Sequence, residues 1–332
     1  MTMATRIGRS GLTALAALLL ALPAWAERFP GQAEFVAQVA SETGQSPAEI
    51  EAVLAGAERK QGILDAISRP AEAKPWRDYR PIFLNQARID GGLRFMAEHA
   101  SLLARVERET GVPAAMITAI IGVETQYGSV TGRYRVLDAL ATLGFHYPPR
   151  ADFFRGELRH LFHLAQEENL EIDQLYGSYA GAMGWGQFIP SSYRHYAVDG
   201  DGDGRRDLWS SMPDIVASIA NYFVEHRWAE GGLVALPARA QPGAEPFQRD
   251  GLNLTSTLAE LRALGYQVVH DGDDALPATL LQLEGAHGDE YWVVFNNFYV
   301  ISRYNRSPLY SMAVHQLAQE LAVNQASGQV RR

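Results

Sequence analysis

Met116-Ile117-Thr118-Ala119-Ile120-Ile121-Gly122-Val123-Glu124 is a nearly unbroken apolar run that ends on a carboxylic acid. Counting back from Glu124 at helical spacing gives Ile121, Ile120 and Ile117, so the carboxyl continues the stripe a helix turns toward its core. Pro113 opens this helix and Tyr127-Gly128 closes it. A carboxylate placed there loses water, which disfavours its charged form and raises its pKa. Such an environment suits an acid that donates a proton near neutral pH. The competing reading is a side chain rotated outward and solvated at the helix end.

Outward from this helix the chain divides by periodicity. From Pro30 to about Glu109 the pattern is helical, with Ser46-Pro47-Ala48-Glu49 reading as a capping box with Pro at the first helical position. A further helix is predicted over Phe153 to Ala165, where Phe154, Leu158, Leu161 and Ala165 share a face. Another runs from Pro213 to His226 and buries Ile215, Ile219 and Phe223. After Gly231-Gly232 the character changes. Leu233–Leu236, Tyr266–His270, Ala278–Leu283 and Tyr291–Ile301 read as strands, with one short helix near Thr257–Leu264 stopped by Gly265. Ser307-Pro308 then opens a last helix to about Leu321. The order α, β-rich insertion, α predicts an α+β protein, mainly α.

The 332 residues carry a formal net charge of −9, which argues against nucleic acid as a partner. Residues 1–26 read as an export signal. Arg6 and Arg9 give a positive start, Leu12 to Leu22 an apolar run too short to span a bilayer, and Ala24-Trp25-Ala26 a small-x-small cleavage site. The chain has no cysteine, which removes disulfide and thiolate chemistry and the lipid-bearing Cys of a bacterial lipoprotein. The mature chain is expected to be soluble in an extracytoplasmic compartment, with no stable membrane anchor.

Two further segments carry chemistry. Gly177-Ser178-Tyr179-Ala180-Gly181-Ala182-Met183-Gly184-Trp185-Gly186-Gln187-Phe188 mixes glycines with aromatic and amide residues. The glycines allow sharp turns and close approach to a ligand. Tyr179, Trp185 and Phe188 offer flat faces that suit sugar rings, and Ser178 and Gln187 can hydrogen-bond hydroxyls or amides. A loop that only packs on the core is the plainer alternative. In Asp199-Gly200-Asp201-Gly202-Asp203-Gly204-Arg205-Arg206-Asp207, carboxylates at positions 1, 3, 5 and 9 with Gly at 6 match an EF-hand loop for Ca2+. Arg205 supplies its backbone carbonyl at position 7. Position 12 is Ser210 rather than Glu, and Asp214 is the nearest substitute. A charged surface turn without metal is the alternative.

Taken together, Glu124-Thr125-Gln126-Tyr127-Gly128, the segment Gly181–Phe188, the Asp199 loop and Asn297-Phe298-Tyr299-Val300-Ile301-Ser302-Arg303-Tyr304-Asn305 resemble lytic murein transglycosylase B across nearly all the mature chain. The resemblance implies a lysozyme-like helical core (101–232 with 295–332), an N-terminal helical lobe (27–100) and a small β-rich lobe (233–294). It implies a periplasmic, monomeric enzyme acting on peptidoglycan glycan strands, with structural Ca2+ and no organic cofactor. The family breaks the β-1,4 bond between N-acetylmuramic acid and N-acetylglucosamine without water and leaves a 1,6-anhydro ring. Glu124 aligns with the single acid/base, and Ser178, Gln187, Tyr222, Tyr304, Asn305 and Tyr310 fall where the family lines its saccharide groove. Arg150 matches one of two adjacent arginines associated with the stem peptide; the other position is Pro149. Two other readings share parts of this pattern: a hydrolytic muramidase, and a non-catalytic peptidoglycan or calcium-binding protein.

Overall fold

A computed structural model of the chain describes residues 29–69 and 74–328, so the export-signal reading lies outside the described residues. Helix α7 (Ala114–Thr125) is buried from Ala115 to Val123. Its apolar stretch leaves no polar face, and it is accordingly surrounded. Around it pack α5 (Gln86–Glu98), α6 (Ala100–Thr110), α11 (Met212–Glu225) and the last helix, α14 (Pro308–Ala326). Phe95, Val106, Ile120, Ile219 and Val314 belong to this one core.

A second core joins the N-terminal helices to the middle of the chain. Helices α1 (Gln32–Thr43), α2 (Pro47–Ala55) and α3 (Gln61–Ile67) bury Phe35, Leu54 and Ile63 with residues of α8 (Val136–His146) and α9 (Ala151–Glu167). Ser46 forms the expected capping box with Glu49. Helix α8 has no counterpart in the sequence reading. Every residue from Val136 to Phe145 is buried, so no polar stripe marks its period. Helix α10 (Pro190–Tyr196) is also additional, and α4 (Trp76–Phe83) links the helices to the sheet.

Strands β1 (Tyr134–Arg135) and β2 (Tyr176–Gly177) form a short antiparallel ribbon. The larger antiparallel sheet is built from β3 (Ala235–Ala240), β4 (Ser256–Thr257), β5 (Tyr266–Val268), β6 (Pro277–Gly285) and β7 (Gly288–Val294), in the order β4-β6-β7-β3-β5. Helix α12 (Leu258–Ala263) packs on it. The strand predicted over Tyr291–Ile301 is corrected. It ends at Val294, and α13 (Asn296–Tyr304) follows. The Phe298-Tyr299-Val300-Ile301 run has strand propensity, yet Asn297, Phe298 and Ile301 recur at helical spacing and are buried.

Asn297 closes the neck of this insertion. Fully buried, it accepts a hydrogen bond from Ala229 N at 2.9 Å and donates to Ala229 O at 2.7 Å and Gly232 O at 2.9 Å. Among the described residues no helix is long and apolar enough to cross a membrane.

Candidate active site

Glu124 sits one residue before the end of α7, and several groups fix that end. The Thr125 hydroxyl lies 3.1 Å from Ile121 O and 3.0 Å from Trp185 O, and accepts from Gly128 N at 3.1 Å. Gln126 and Tyr127 turn the chain back with φ of 52° and 56°, a left-handed conformation that non-glycine residues seldom adopt. The Tyr127 ring then lies against the helix, and its hydroxyl donates to Arg88 O at 2.8 Å. A Cβ on Gly122 would stand 2.6 Å from that hydroxyl, so the fit requires glycine. Arg88 in turn donates to Gly122 O, placing a cation on the carbonyl end of the helix, where the dipole favours it.

Glu124 is half-buried and lines a cavity of about 770 Å³. The Tyr310 phenol donates to its Oε1 at 2.5 Å. Tyr310 is 3% exposed, and its phenol is pushed well above the usual tyrosine range, first by burial and then by the charge of Glu124. Tyr304 is raised in the same way, by burial and then by Glu124, and its hydroxyl donates to Gly186 O at 2.6 Å. Both phenols therefore stay protonated and act as donors.

Opposite stands the glycine-rich segment. Ser178 Oγ accepts from Ala180 N at 3.2 Å and Ala182 N at 3.0 Å, which leaves its own hydrogen for a ligand. A Cβ on Gly177 would stand 2.1 Å from Ala182 O, so this turn needs glycine for close backbone approach. Gln187 holds φ 49° and uses its amide nitrogen on Thr131 O and Gly184 O at 3.1 and 3.0 Å, leaving its amide oxygen as the group able to accept. Asn305, just past α13, accepts from Ser307 N at 3.0 Å.

Glu124, Arg150, Ser178, Gln187, Tyr304 and Asn305 come together in this one cavity. Tyr310 and Tyr222 stand one layer behind its lining. Tyr222 packs its ring 4.7 Å from Tyr304 and donates to Arg303 O at 2.6 Å. Arg303, Arg306, Phe153 and Phe154 also line the cavity, and the sequence reading assigned none of them a role there. Arg150 lies over Phe153 and Phe154, at 4.3 and 5.1 Å from the ring centroids. Phe153 is 41% exposed, and this unshielded ring is a feature that periodicity alone does not interpret. Among the lining residues Glu124 is the only carboxylate, set against three arginines.

The acidic loop forms a separate feature. Asp199, Asp201 and Asp203 are exposed, and each offers a carboxylate oxygen within 4.8 Å of the others. Asp199 Oδ1 accepts from Gly202 N at 2.6 Å and its Oδ2 from Gly204 N at 2.8 Å. The Gly204 bond leads the interactions that hold this carboxyl below its usual range, against an opposing effect of burial. Gly202 and Gly204 take φ of 80° and 88°, and Arg205 N donates to Asp203 Oδ1 at 2.8 Å. This oxygen set fits a hard cation. Asp207 and Asp214 have other partners. Asp207 accepts from Trp209 N and Ser210 N at 2.8 and 2.9 Å. Asp214, 1% exposed, accepts from Gly200 N and Asp207 N, both at 2.7 Å, and ties the two ends of the loop to α11.

The chain is similar to known proteins over almost all of this structure. A family described as "Transglycosylase SLT domain" matches residues 29–319. Membrane-bound lytic murein transglycosylase B of Escherichia coli is 38% identical over 304 residues, covering 89% of this chain and 83% of that one. The crystal structure of catenated lytic transglycosylase SltB1 from Pseudomonas aeruginosa is 50% identical, with a TM-score of 0.84 over 89% of this chain and 98% of that one. E. coli lytic transglycosylase Slt35, solved in complex with calcium, is 37% identical, with a TM-score of 0.82 over 90% and 95%. SltB3 from P. aeruginosa, solved with NAG-anhNAM-pentapeptide, is 32% identical, with a TM-score of 0.76 over 88% and 78%. The helical core around Glu124 is thus the lysozyme-like fold of these neighbours, and the chain belongs to the transglycosylase SLT domain family, the lytic murein transglycosylases.

Proposed function

We propose that Glu124 performs the cleavage alone, first as acid and then as base. The observation that carries this reading is its isolation: no other carboxylate lines the cavity, whereas a glycosidase working through water needs a second one. Protonated Glu124 gives its proton to the glycosidic oxygen between N-acetylmuramic acid and N-acetylglucosamine. The 2-acetamido oxygen of the substrate then stabilises the anomeric carbon, with the Ser178 hydroxyl or the Asn305 amide as donors. Glu124, now a carboxylate, takes the proton from the C6 hydroxyl, and O6 closes onto C1 as the 1,6-anhydro ring. No water is consumed, and the acid regains its proton. Tyr310 holds the carboxyl in place through both steps. Arg150, Arg303 and Arg306 supply positive charge for carboxylates of the stem peptide.

Ca2+ belongs to the same proposal as a structural ion held by Asp199, Asp201, Asp203 and the carbonyl of Arg205. The three convergent carboxylates and the calcium complex of Slt35 support it. Its role is to fix the junction between the glycine-rich segment and α11. The enzyme acts in the periplasm, a location supported by the leader pattern in residues 1–26, and works there as a monomer. The divisions near residues 100, 232 and 294 are its lobe boundaries.

Digestion of purified sacculi, followed by mass spectrometry of the soluble fragments, tests the chemistry. Anhydromuramoyl products, lighter by one water than hydrolytic ones, are expected from the parent chain, and none from Glu124→Gln, which keeps its affinity for glycan. Reducing muramic acid ends would establish a hydrolase instead. Near-parental turnover by Glu124→Gln would remove the residue from its role.

A further inference from the structure

The insertion has a cavity of its own, about 790 Å³, made from none of the residues around Glu124. Its origin is the two-sided character of the sheet. On β6 and β7, Leu281, Leu283 and Val294 face the helices and pack with Trp76, Tyr79 and Phe298. The alternate residues Leu280, Gln282 and Glu284 face the other way, paired across the strands with Val293, Tyr291 and Asp289. Helix α12 packs on part of that outer face, where Leu258 and Leu261 share a core with Leu280 and Val293. The remainder is overhung by the segment after β3. Gln241 N donates to Gly265 O and Glu245 N to Leu264 O, both at 2.9 Å, and the Tyr266 hydroxyl donates to Glu245 O at 3.0 Å. Pro246, Phe247 and Arg249 of the same segment complete the lining.

The walls are flat and the floor is polar. Tyr266 and Tyr291 stand with ring centroids 5.5 Å apart, tilted by 48°, and Phe247 lies on the overhanging side. The acids of the floor already have partners. Glu284 is paired with Arg77 on α4, and Asp289 accepts from the Gln282 amide at 2.7 Å. Arg249 at the rim differs. It is exposed, and its guanidinium makes no hydrogen bond or ion pair among the described residues. A guanidinium left without an anion beside aromatic faces and amides suits a flat, hydroxylated ring that carries a carboxylate.

We propose that this cavity is a second peptidoglycan-binding site, separate from the cleavage cleft. An N-acetylated sugar ring lies against Tyr291 and Phe247, and a stem-peptide carboxylate pairs with Arg249. The site rests on the reading of peptidoglycan as the substrate. Its role is to hold the enzyme on the wall while the Glu124 cleft works on a neighbouring stretch of glycan.

Calorimetric titration of the full-length Glu124→Gln protein tests the site without turnover. One probe is a disaccharide-tetrapeptide muropeptide, and the other is chitotetraose, which has no carboxylate. Two muropeptides are expected to bind per chain. Adding Arg249→Ala should weaken the second event about tenfold for the muropeptide and leave chitotetraose unchanged. Adding Tyr291→Ala should weaken it about tenfold for both probes. With Glu124 restored, both single variants should cleave short soluble glycan strands at the parental rate but sediment less completely with sacculi. A single binding event per chain overturns the proposal, as does muropeptide affinity in Arg249→Ala within twofold of its parent. Loss of Arg249 binding to acidic peptides alone, with no effect on muropeptide, overturns it in favour of a protein ligand. Absence of anhydro products from the parent chain would instead count against the cleavage chemistry, so the two failures are distinguishable.

Discussion

The Tyr310 hydroxyl and Glu124 Oε1 meet at 2.5 Å across 186 positions of sequence, joining the first turn of α14 to the last turn of α7. The phenol stays protonated because burial and the neighbouring carboxylate both raise it. One oxygen of the acid is thereby held by a donor that does not titrate in the working range.

Tyr310→Phe removes that donor and little volume. Hydrogen bonds to charged groups contribute about 1.5–3 kcal/mol. We expect kcat on sacculi to fall by about tenfold to a hundredfold, with KM nearly unchanged, as measured by release of soluble muropeptides. A kcat within twofold of the parent would show that the phenol does not position Glu124.

The acidic loop gives a thermal prediction. An ion bound at about 100 times its Kd stabilises the folded chain by about 2.7 kcal/mol. For a chain of this size that corresponds to roughly 5 °C in Tm. Chelation with EGTA should lower Tm by this amount, and Ca2+ should restore it. In Asp201→Ala, Tm should stop responding to either reagent.

His315 sets a pH dependence. It is 5% exposed on α14, and burial depresses its imidazole to about 4, partly offset by a bond to the Ala235 backbone. The unfolded chain therefore binds a proton that the folded chain refuses between about pH 6.5 and 4. Stability from this group is complete above the unfolded value and declines as pH falls through that window, by about 3 kcal/mol in total. His315→Gln cannot take up the proton. Urea midpoints of parent and variant should converge as the buffer is lowered from pH 7 to 4.

Gly132 supports the ribbon beside the cleft. It holds φ 107°, and a Cβ there would lie 2.0 Å from the carbonyl of Gly177. Gly132→Ala should cost about 3 kcal/mol or more, since both the dihedral and the clash oppose it. Its denaturant midpoint should fall, and turnover should fall with it because Ser178 follows Gly177 directly. A midpoint equal to the parent's would mean that the ribbon moves aside without cost.

Local signals were legible where the cause was local. The Ser46 cap, the Pro308 start and the apolar run before Glu124 each announce their element, because the residues concerned satisfy the backbone or set its dihedrals. Helix α8 was silent, since burial on all sides erases the alternation that periodicity detects. The end of β7 has no local mark, because Phe298 to Ile301 suit a strand and only their contacts make them helical. At the site, the residue types of the cleft could be read from their motifs. That Tyr310 lies behind Glu124, or that both oxygens of Asp214 face loop amides, depends on packing between distant segments and is written in no local pattern.

The clasp made by Asn297 lends the insertion a modular character. Ala229 and Gly232 on entry, and Asn297 on exit, are fastened to one another by a single side chain, so the two stumps would remain side by side if everything between them were exchanged. Loops and strands there can lengthen, shrink or acquire new tasks over evolutionary time, while Tyr304 and Asn305, a few residues beyond the fastening, keep their place in the cleft.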